Sequence, residues 1–106
     1  MRSPLLVLLA VLFLSSVSFA RIVEEVFPYR HNDVELEGIV VYNEATENKR
    51  PAIILFHDWR GPGEKEIELA REYVGLGYMV LVADLFGKDI RPRTVQEASE
   101  ATRELY

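Results

Sequence analysis

The 106-residue sequence contains no cysteine. That removes disulfides, thiolate metal sites and a thiol nucleophile from the chemistry these residues can supply. Histidine is scarce: His31 and His57 are the only two, and their separation does not match metal-ligand spacing. No G-x-S-x-G turn is present to lift a serine onto a strand-to-helix elbow. No G-x-G-x-x-G or Walker loop is present to cradle phosphates. Basic clusters are missing too. The formal net charge is -5, with acidic residues spread along the chain, which argues against nucleic acid as a partner. From this inventory no metal site and no phosphate or dinucleotide cradle is expected.

Long apolar runs are confined to one place. Leu5 to Leu14 is unbroken and shorter than the ~20 residues a spanning helix requires. Arg2 precedes it, and Ser18-Phe19-Ala20 follows, with small residues where a signal peptidase reads. Residues 1–20 are therefore expected to be a signal peptide, cut before Arg21. The protein would then be secreted or periplasmic, with no stable membrane anchor after cleavage. The alternative is an uncleaved anchor.

Residues 21–106 have room for one domain. Residues 22–30 and 33–42 are strand-like around the turn formers Arg30-His31-Asn32-Asp33, and predict an antiparallel hairpin at a sheet edge. Pro28 suits an edge strand, and His31 is expected as a solvated turn residue. After the polar loop 43–50, Ala52 to Phe56 is a short apolar run that suits a strand covered on both faces.

Residues 64–75 predict a helix with Ile67, Ala70, Tyr73 and Val74 on one face. Glu64, Glu66 and Glu68 are expected as a solvated run favoured by the helix dipole. Gly75-Leu76-Gly77 stops that helix. Residues 78–83 predict the next buried strand, so residues 52–83 read as a parallel βαβ unit. Thr94-Val95-Gln96-Glu97 has capping-box spacing and is expected to open a second helix through Leu105, with Val95, Ala98, Ala101, Thr102 and Leu105 inward. Two buried parallel strands require cover on both faces and neighbours on both edges. These elements provide less than that, so the chain is expected to be the N-terminal part of a larger open sheet.

In such a sheet the loops at the carboxyl ends of the strands build the site. Two fall there: His57-Asp58-Trp59-Arg60-Gly61-Pro62-Gly63, and Asp84-Leu85-Phe86-Gly87-Lys88. His57 and Asp58 are adjacent, so on extended backbone their side chains point apart and make neither a catalytic dyad nor a joint metal site. The backbone offers more. A loop leaving a buried strand for a helix can aim N–H groups at a developing oxyanion, with Trp59 lining a pocket wall. Alternatively, Trp59 and Arg60 are surface residues stacked for packing.

The ordered set His57-Asp58-Trp59-Arg60-Gly61, Gly77-Tyr78 and Asp84-Leu85-Phe86-Gly87-Lys88, with Leu36-Glu37-Gly38 upstream, resembles the N-terminal portion of the dienelactone hydrolase family. The resemblance implies an α/β-hydrolase fold, no cofactor, and a small-molecule ester or lactone substrate. By motif position Asp58 is the carboxylate that supports the family's cysteine nucleophile, where glutamate is the better-known residue. Trp59 contributes its backbone N–H to the oxyanion hole. Lys88 falls where the known enzyme has a substrate-binding arginine, with Arg60 as a further substrate-binding residue. The family's nucleophile, aspartate and histidine lie downstream of the matched motifs, so the chain alone is expected to be inactive. The competing expectation is a non-catalytic exported binding module.

Overall fold

The computed structural model describes residues 21–46 and 48–105; the expected signal peptide lies outside them. In chain order the elements are β1 (Ile22–His31), β2 (Val34–Asn43), β3 (Ala52–Leu55), α1 (Glu64–Gly75), β4 (Met79–Val82) and α2 (Val95–Arg103). The strands form one sheet in the order β1-β2-β4-β3.

The hairpin forms as its pattern dictates. β1 and β2 run antiparallel from the pair His31–Val34 to the pair Ile22–Asn43. The reversal falls on Asn32, at φ 53°, a left-handed conformation that asparagine tolerates. His31 is thus the last residue of β1 rather than part of the turn. β3 and β4 pair in parallel, with Ile53 opposite Val80, and α1 connects them. β4 also pairs antiparallel with β2, Ile39 opposite Val82. It therefore lies between the hairpin and β3.

Period-two alternation sorts the strand side chains onto two faces. One face carries Val41, Val80 and Val82, all fully buried against Ala70 and Val74 of α1, with Ile39, Ile53, Leu55, Tyr73 and Tyr78 around them. Each fully buried valine is worth about 1.5–3 kcal/mol relative to exposure. Gly63 is the N-cap of α1, and past its last residue Gly77, at φ 102°, turns the chain. Leu76 N–H and Gly77 N–H then satisfy the carbonyls of Tyr73 and Val74.

Several expectations are corrected. The inward stripe of α1 is Glu66, Ala70 and Val74, with Ile67 and Tyr73 half-buried. Glu66 is not solvated: its carboxylate turns back to accept the Gly63 N–H at 3.1 Å, satisfying a helix-start donor. Among the described residues β3 is not covered on both faces, since Ile54 is 56% exposed and Phe56, just past the strand, 65%. With Leu36, Leu81, Ala83 and Tyr29 these two line an open trough of about 630 Å³ on the face away from α1.

α2 starts as its cap predicts, with Thr94 Oγ1 accepting the Glu97 N–H at 3.2 Å. The Glu97 carboxylate, however, reaches past the cap residue to the Arg93 N–H. Only Ala98 and Ala101 of α2 are buried. Val95 is 78% exposed, and Leu105 lies past the helix end at the trough rim. The Thr102 hydroxyl donates to the Ala98 carbonyl at 2.7 Å instead of facing a core.

Candidate functional site

The loops after β3 and β4 meet at one end of the sheet, because these strands are parallel neighbours. The second loop is organised by Asp84, which follows the buried Ala83 just past the end of β4 and is 0% exposed. Its Oδ1 accepts the N–H groups of Phe86 at 3.0 Å and Gly87 at 3.1 Å. Its Oδ2 accepts the Glu37 N–H of β2 at 2.9 Å. Arg91 approaches Oδ1 at 3.4 Å and also donates to the carbonyls of Gly87 and Ile90. A buried carboxylate is tolerated because its oxygens are met by donors and one of those donors is a cation.

Tyr29 holds the same residue by its backbone. The phenol donates to the Asp84 carbonyl at 2.5 Å and accepts the Asp84 N–H at 2.7 Å. Replacing Tyr29 with phenylalanine is expected to cost about 1–3 kcal/mol, since both backbone groups lose a partner. Burial raises the Tyr29 pKa above its ordinary value. Only the unfolded chain ionises from about pH 10, so Tyr29's contribution is complete below that pH and falls as pH rises through the raised folded value. Melting curves between neutral pH and about pH 11 should show Tyr29→Phe less stable at neutrality and with a shallower alkaline loss. The alkaline loss that persists belongs to Tyr42, whose hydroxyl donates to Glu25 and whose pKa is also raised, and to Lys88, whose pKa is raised by its pairing with Glu35.

His57 joins the two loops. Its Nε2 accepts the Leu85 N–H at 3.0 Å, and its Nδ1 lies 2.7 Å from the Asp58 carbonyl oxygen. The ring packs on Phe86 with centroids 4.6 Å apart. Gly61 makes the second junction. It sits at φ 83°, and a Cβ there would stand 3.2 Å from Arg91 Cδ. Glycine is therefore required both for the left-handed turn and for the approach of the second loop.

Asp58 and Trp59 ride on this platform. Asp58 Oδ1 accepts the Arg60 N–H at 3.0 Å, and Oδ2 faces Lys65 Nζ at 3.4 Å. The Arg60 N–H is the larger influence holding the Asp58 carboxyl below the usual carboxylate range, with Lys65 adding to it. The Asp58 carbonyl also accepts the Gly61 N–H at 3.2 Å. The Trp59 N–H has no hydrogen-bond partner among the described residues. Its indole ring is partly exposed and carries the Arg60 guanidinium 4.8 Å from the ring centroid, a cation–π stack. His57 and Asp58 do not converge on a common point: one side chain turns to Leu85 and the other to Arg60 and Lys65.

Lys88 lies on the far side of the second loop, beside β2. Its Nζ pairs with Glu35 at 2.7 Å, and its N–H donates to the Glu35 carbonyl at 2.9 Å. The pairing raises the Lys88 pKa and lowers that of Glu35. The structure thus brings His57, Asp58, Trp59, Arg60 and the Asp84–Arg91 loop together, and ties Lys88 to Glu35. Asp84, Arg91 and Tyr29 did not stand out in the sequence as members of one cluster. The available signal was a carboxylate directly after an apolar strand with a glycine three residues on.

Across residues 36–106, about two thirds of the chain, the sequence matches the Dienelactone hydrolase family model. The chain belongs to the dienelactone hydrolase family. Solved structures agree on the fold. A structure titled m3DLH superposes with a TM-score of 0.73 at 24% identity, covering 79% of this chain and 35% of that one. A dienelactone hydrolase-like promiscuous phosphotriesterase, P91, from metagenomic libraries superposes with a TM-score of 0.74 at 23% identity, covering 83% and 36%. This dienelactone hydrolase-family chain therefore spans about a third of the length of those proteins. No curated protein sequence matches it significantly.

Proposed function

We propose that the chain is the N-terminal part of an exported ester or lactone hydrolase of the dienelactone hydrolase type, in which it supplies one wall of the active site. Trp59 N–H is one donor of the oxyanion hole. Asp58 is the carboxylate that faces the nucleophile. Arg60 and Lys88 are the cations available to an anionic substrate, with Arg60 beside the oxyanion donor and Lys88 shared with Glu35. The nucleophile, its histidine base and the orienting aspartate come from outside these 106 residues, and residues 1–20 direct export.

The observation that carries this reading is the Trp59 N–H. Among the described residues it stands without a partner in the loop after β3, on a peptide whose carbonyl is engaged. A donor already aimed where negative charge develops needs no reorganisation during reaction, and one such donor is worth about 10²–10³ in rate.

The test is a chimera in which residues 21–106 replace the matching N-terminal third of a solved dienelactone hydrolase. It should hydrolyse an activated aryl ester well above background, and removing the carboxylate that faces the nucleophile, by Asp58→Ala, should reduce kcat/KM about a hundredfold or more. A folded chimera without esterase activity would end the proposal. An aryl phosphotriester belongs in the same assay, because one structural neighbour is titled a promiscuous phosphotriesterase. A non-catalytic exported module is the second reading, favoured by the open apolar trough beside β3; it requires the chimera to be inactive while folded.

A further inference from the structure

We infer that His57 is a positioning residue for the Trp59 N–H, coupling the oxyanion donor to the loop that Asp84 organises. The inference rests on the assignment of the Trp59 N–H as an oxyanion donor. The geometry begins with the peptide group joining Asp58 to Trp59. No peptide bond among the described residues is cis, and in a trans peptide the C=O and N–H point in opposite directions. Whatever holds the Asp58 carbonyl therefore aims the Trp59 N–H.

Two donors hold that carbonyl: His57 Nδ1 at 2.7 Å and the Gly61 N–H at 3.2 Å. Together they occupy both acceptor sites of the oxygen. A carbonyl that accepts hydrogen bonds also polarises its own peptide and strengthens the N–H at the other end. His57 thus acts on both the direction and the donor strength of the Trp59 N–H.

The ring's tautomer follows from its partners. Leu85 N–H can only donate, so Nε2 must present a lone pair; the Asp58 carbonyl can only accept, so Nδ1 must carry the proton. A single neutral tautomer satisfies both. The ring is also fixed in place, with Phe86 packed on it at 4.6 Å. Leu85 and Phe86 are themselves positioned by Asp84, which binds the Phe86 and Gly87 N–H groups and is pinned to β2 and β1 through Glu37 and Tyr29. An unbroken series of bonds therefore runs from the sheet interior through Asp84, Leu85 and His57 to the peptide that ends in the Trp59 N–H. No metal, proton transfer or contact between His57 and substrate is needed. This also gives His57 a role distinct from that of the base, which it cannot fill with both ring nitrogens engaged.

The experiment is ¹⁵N NMR of the 106-residue chain. Long-range proton–nitrogen correlations should report His57 protonated on Nδ1 and unprotonated on Nε2. His57→Ala should shift the Trp59 and Leu85 amide resonances and speed exchange of the Trp59 amide, while Val41, Val80 and Val82 stay unmoved. Two near-isosteric variants separate the bonds. His57→Asn places an amide donor near the position of Nδ1 and should restore Trp59 but not Leu85. His57→Gln places an acceptor near the position of Nε2 and should restore Leu85 but not Trp59. If His57→Ala fails to fold, these two variants decide the matter alone.

A proton found on Nε2, or a Trp59 amide indifferent to all three substitutions, would overturn the inference. In the active chimera, His57→Ala should lower kcat about tenfold with KM little changed, as expected for a donor loosened rather than removed. An unchanged kcat also overturns it. A chimera inactive with His57 intact defeats the assignment of the oxyanion hole and leaves the Trp59 amide result standing, so the two failures are separable.

Discussion

Asp84→Ala is expected to remove a large share of the stability of the folded region. The carboxylate is fully buried and meets three backbone N–H groups and Arg91. Alanine would leave those N–H groups buried without an acceptor and Arg91 without its charged partner. Breaking such an arrangement costs about 3–5 kcal/mol, against about 5–15 kcal/mol for a whole domain. For a folded unit of this size the melting temperature should fall by roughly 15 °C or more, or the cooperative transition should vanish. Asp84→Asn should fall between the two: it keeps one acceptor oxygen, but sets an N–H₂ against the Glu37 N–H or the loop donors. Circular dichroism melts of the three proteins check this. A melt of Asp84→Ala within a few degrees of the parent would show that water or a loop rearrangement replaces the carboxylate.

Gly38→Ala should be nearly as damaging, for a steric reason. A Cβ at position 38 would lie 2.6 Å from the Val82 carbonyl oxygen, 3.3 Å from Tyr29 Cε1 and 3.4 Å from Leu81 Cδ1. The first contact is with backbone, in the pairing of β2 with β4, and cannot be relieved by turning a side chain. Overpacking in a core typically costs about 1–3 kcal/mol; here the sheet itself must part, so the upper end or beyond is expected. Amide exchange should quicken first at Ile39, Val41, Val80 and Val82. Gly75→Ala is the control. Nothing lies within 4 Å of a Cβ there, and the change should be neutral or stabilising by up to about 1 kcal/mol. Equal losses at both positions would dismiss the steric account.

The parts of this fold set by local chemistry were legible in the sequence. Residues 64–75 form the predicted helix, because four-residue apolar spacing and a glycine stop act within the segment itself. The hairpin, the parallel βαβ unit and the Thr94 cap follow for the same reason. What was not legible depends on distant partners. Asp84 looked like the start of a polar loop; it is buried because Tyr29 and Glu37, 55 and 47 residues away, close over it. Glu66 looked solvated because it is charged, yet it shares a stripe with Ala70 and Val74, and its carboxylate folds back on Gly63.

The apolar run at β3 was read as two-sided burial, but among the described residues only its inner face is covered. In the site, Asp58, Trp59 and Arg60 lie in the loop where motif position put them. The tie between His57 and Leu85 spans 28 residues and left no trace in either local segment. Lys88 shows the same limit: its pairing with Glu35 depends on β2 and β4 being neighbours, which the sequence alone did not specify.

The strand order carries a consequence for how the chain acquires its shape. β3 precedes β4 in the sequence, yet β4 lies between β3 and the hairpin. The hairpin can close as soon as Asn43 is made, through local contacts that form in about 1–10 μs. β3 then has nothing to pair with, because its one partner among the described strands is still to come. The sheet is completed from its middle, when β4 enters between two pieces already present, and that late insertion is the slow, non-local step. Until it happens, Ile53, Ile54, Leu55 and Phe56 present an unpaired apolar edge, the kind of segment on which newly made chains associate wrongly.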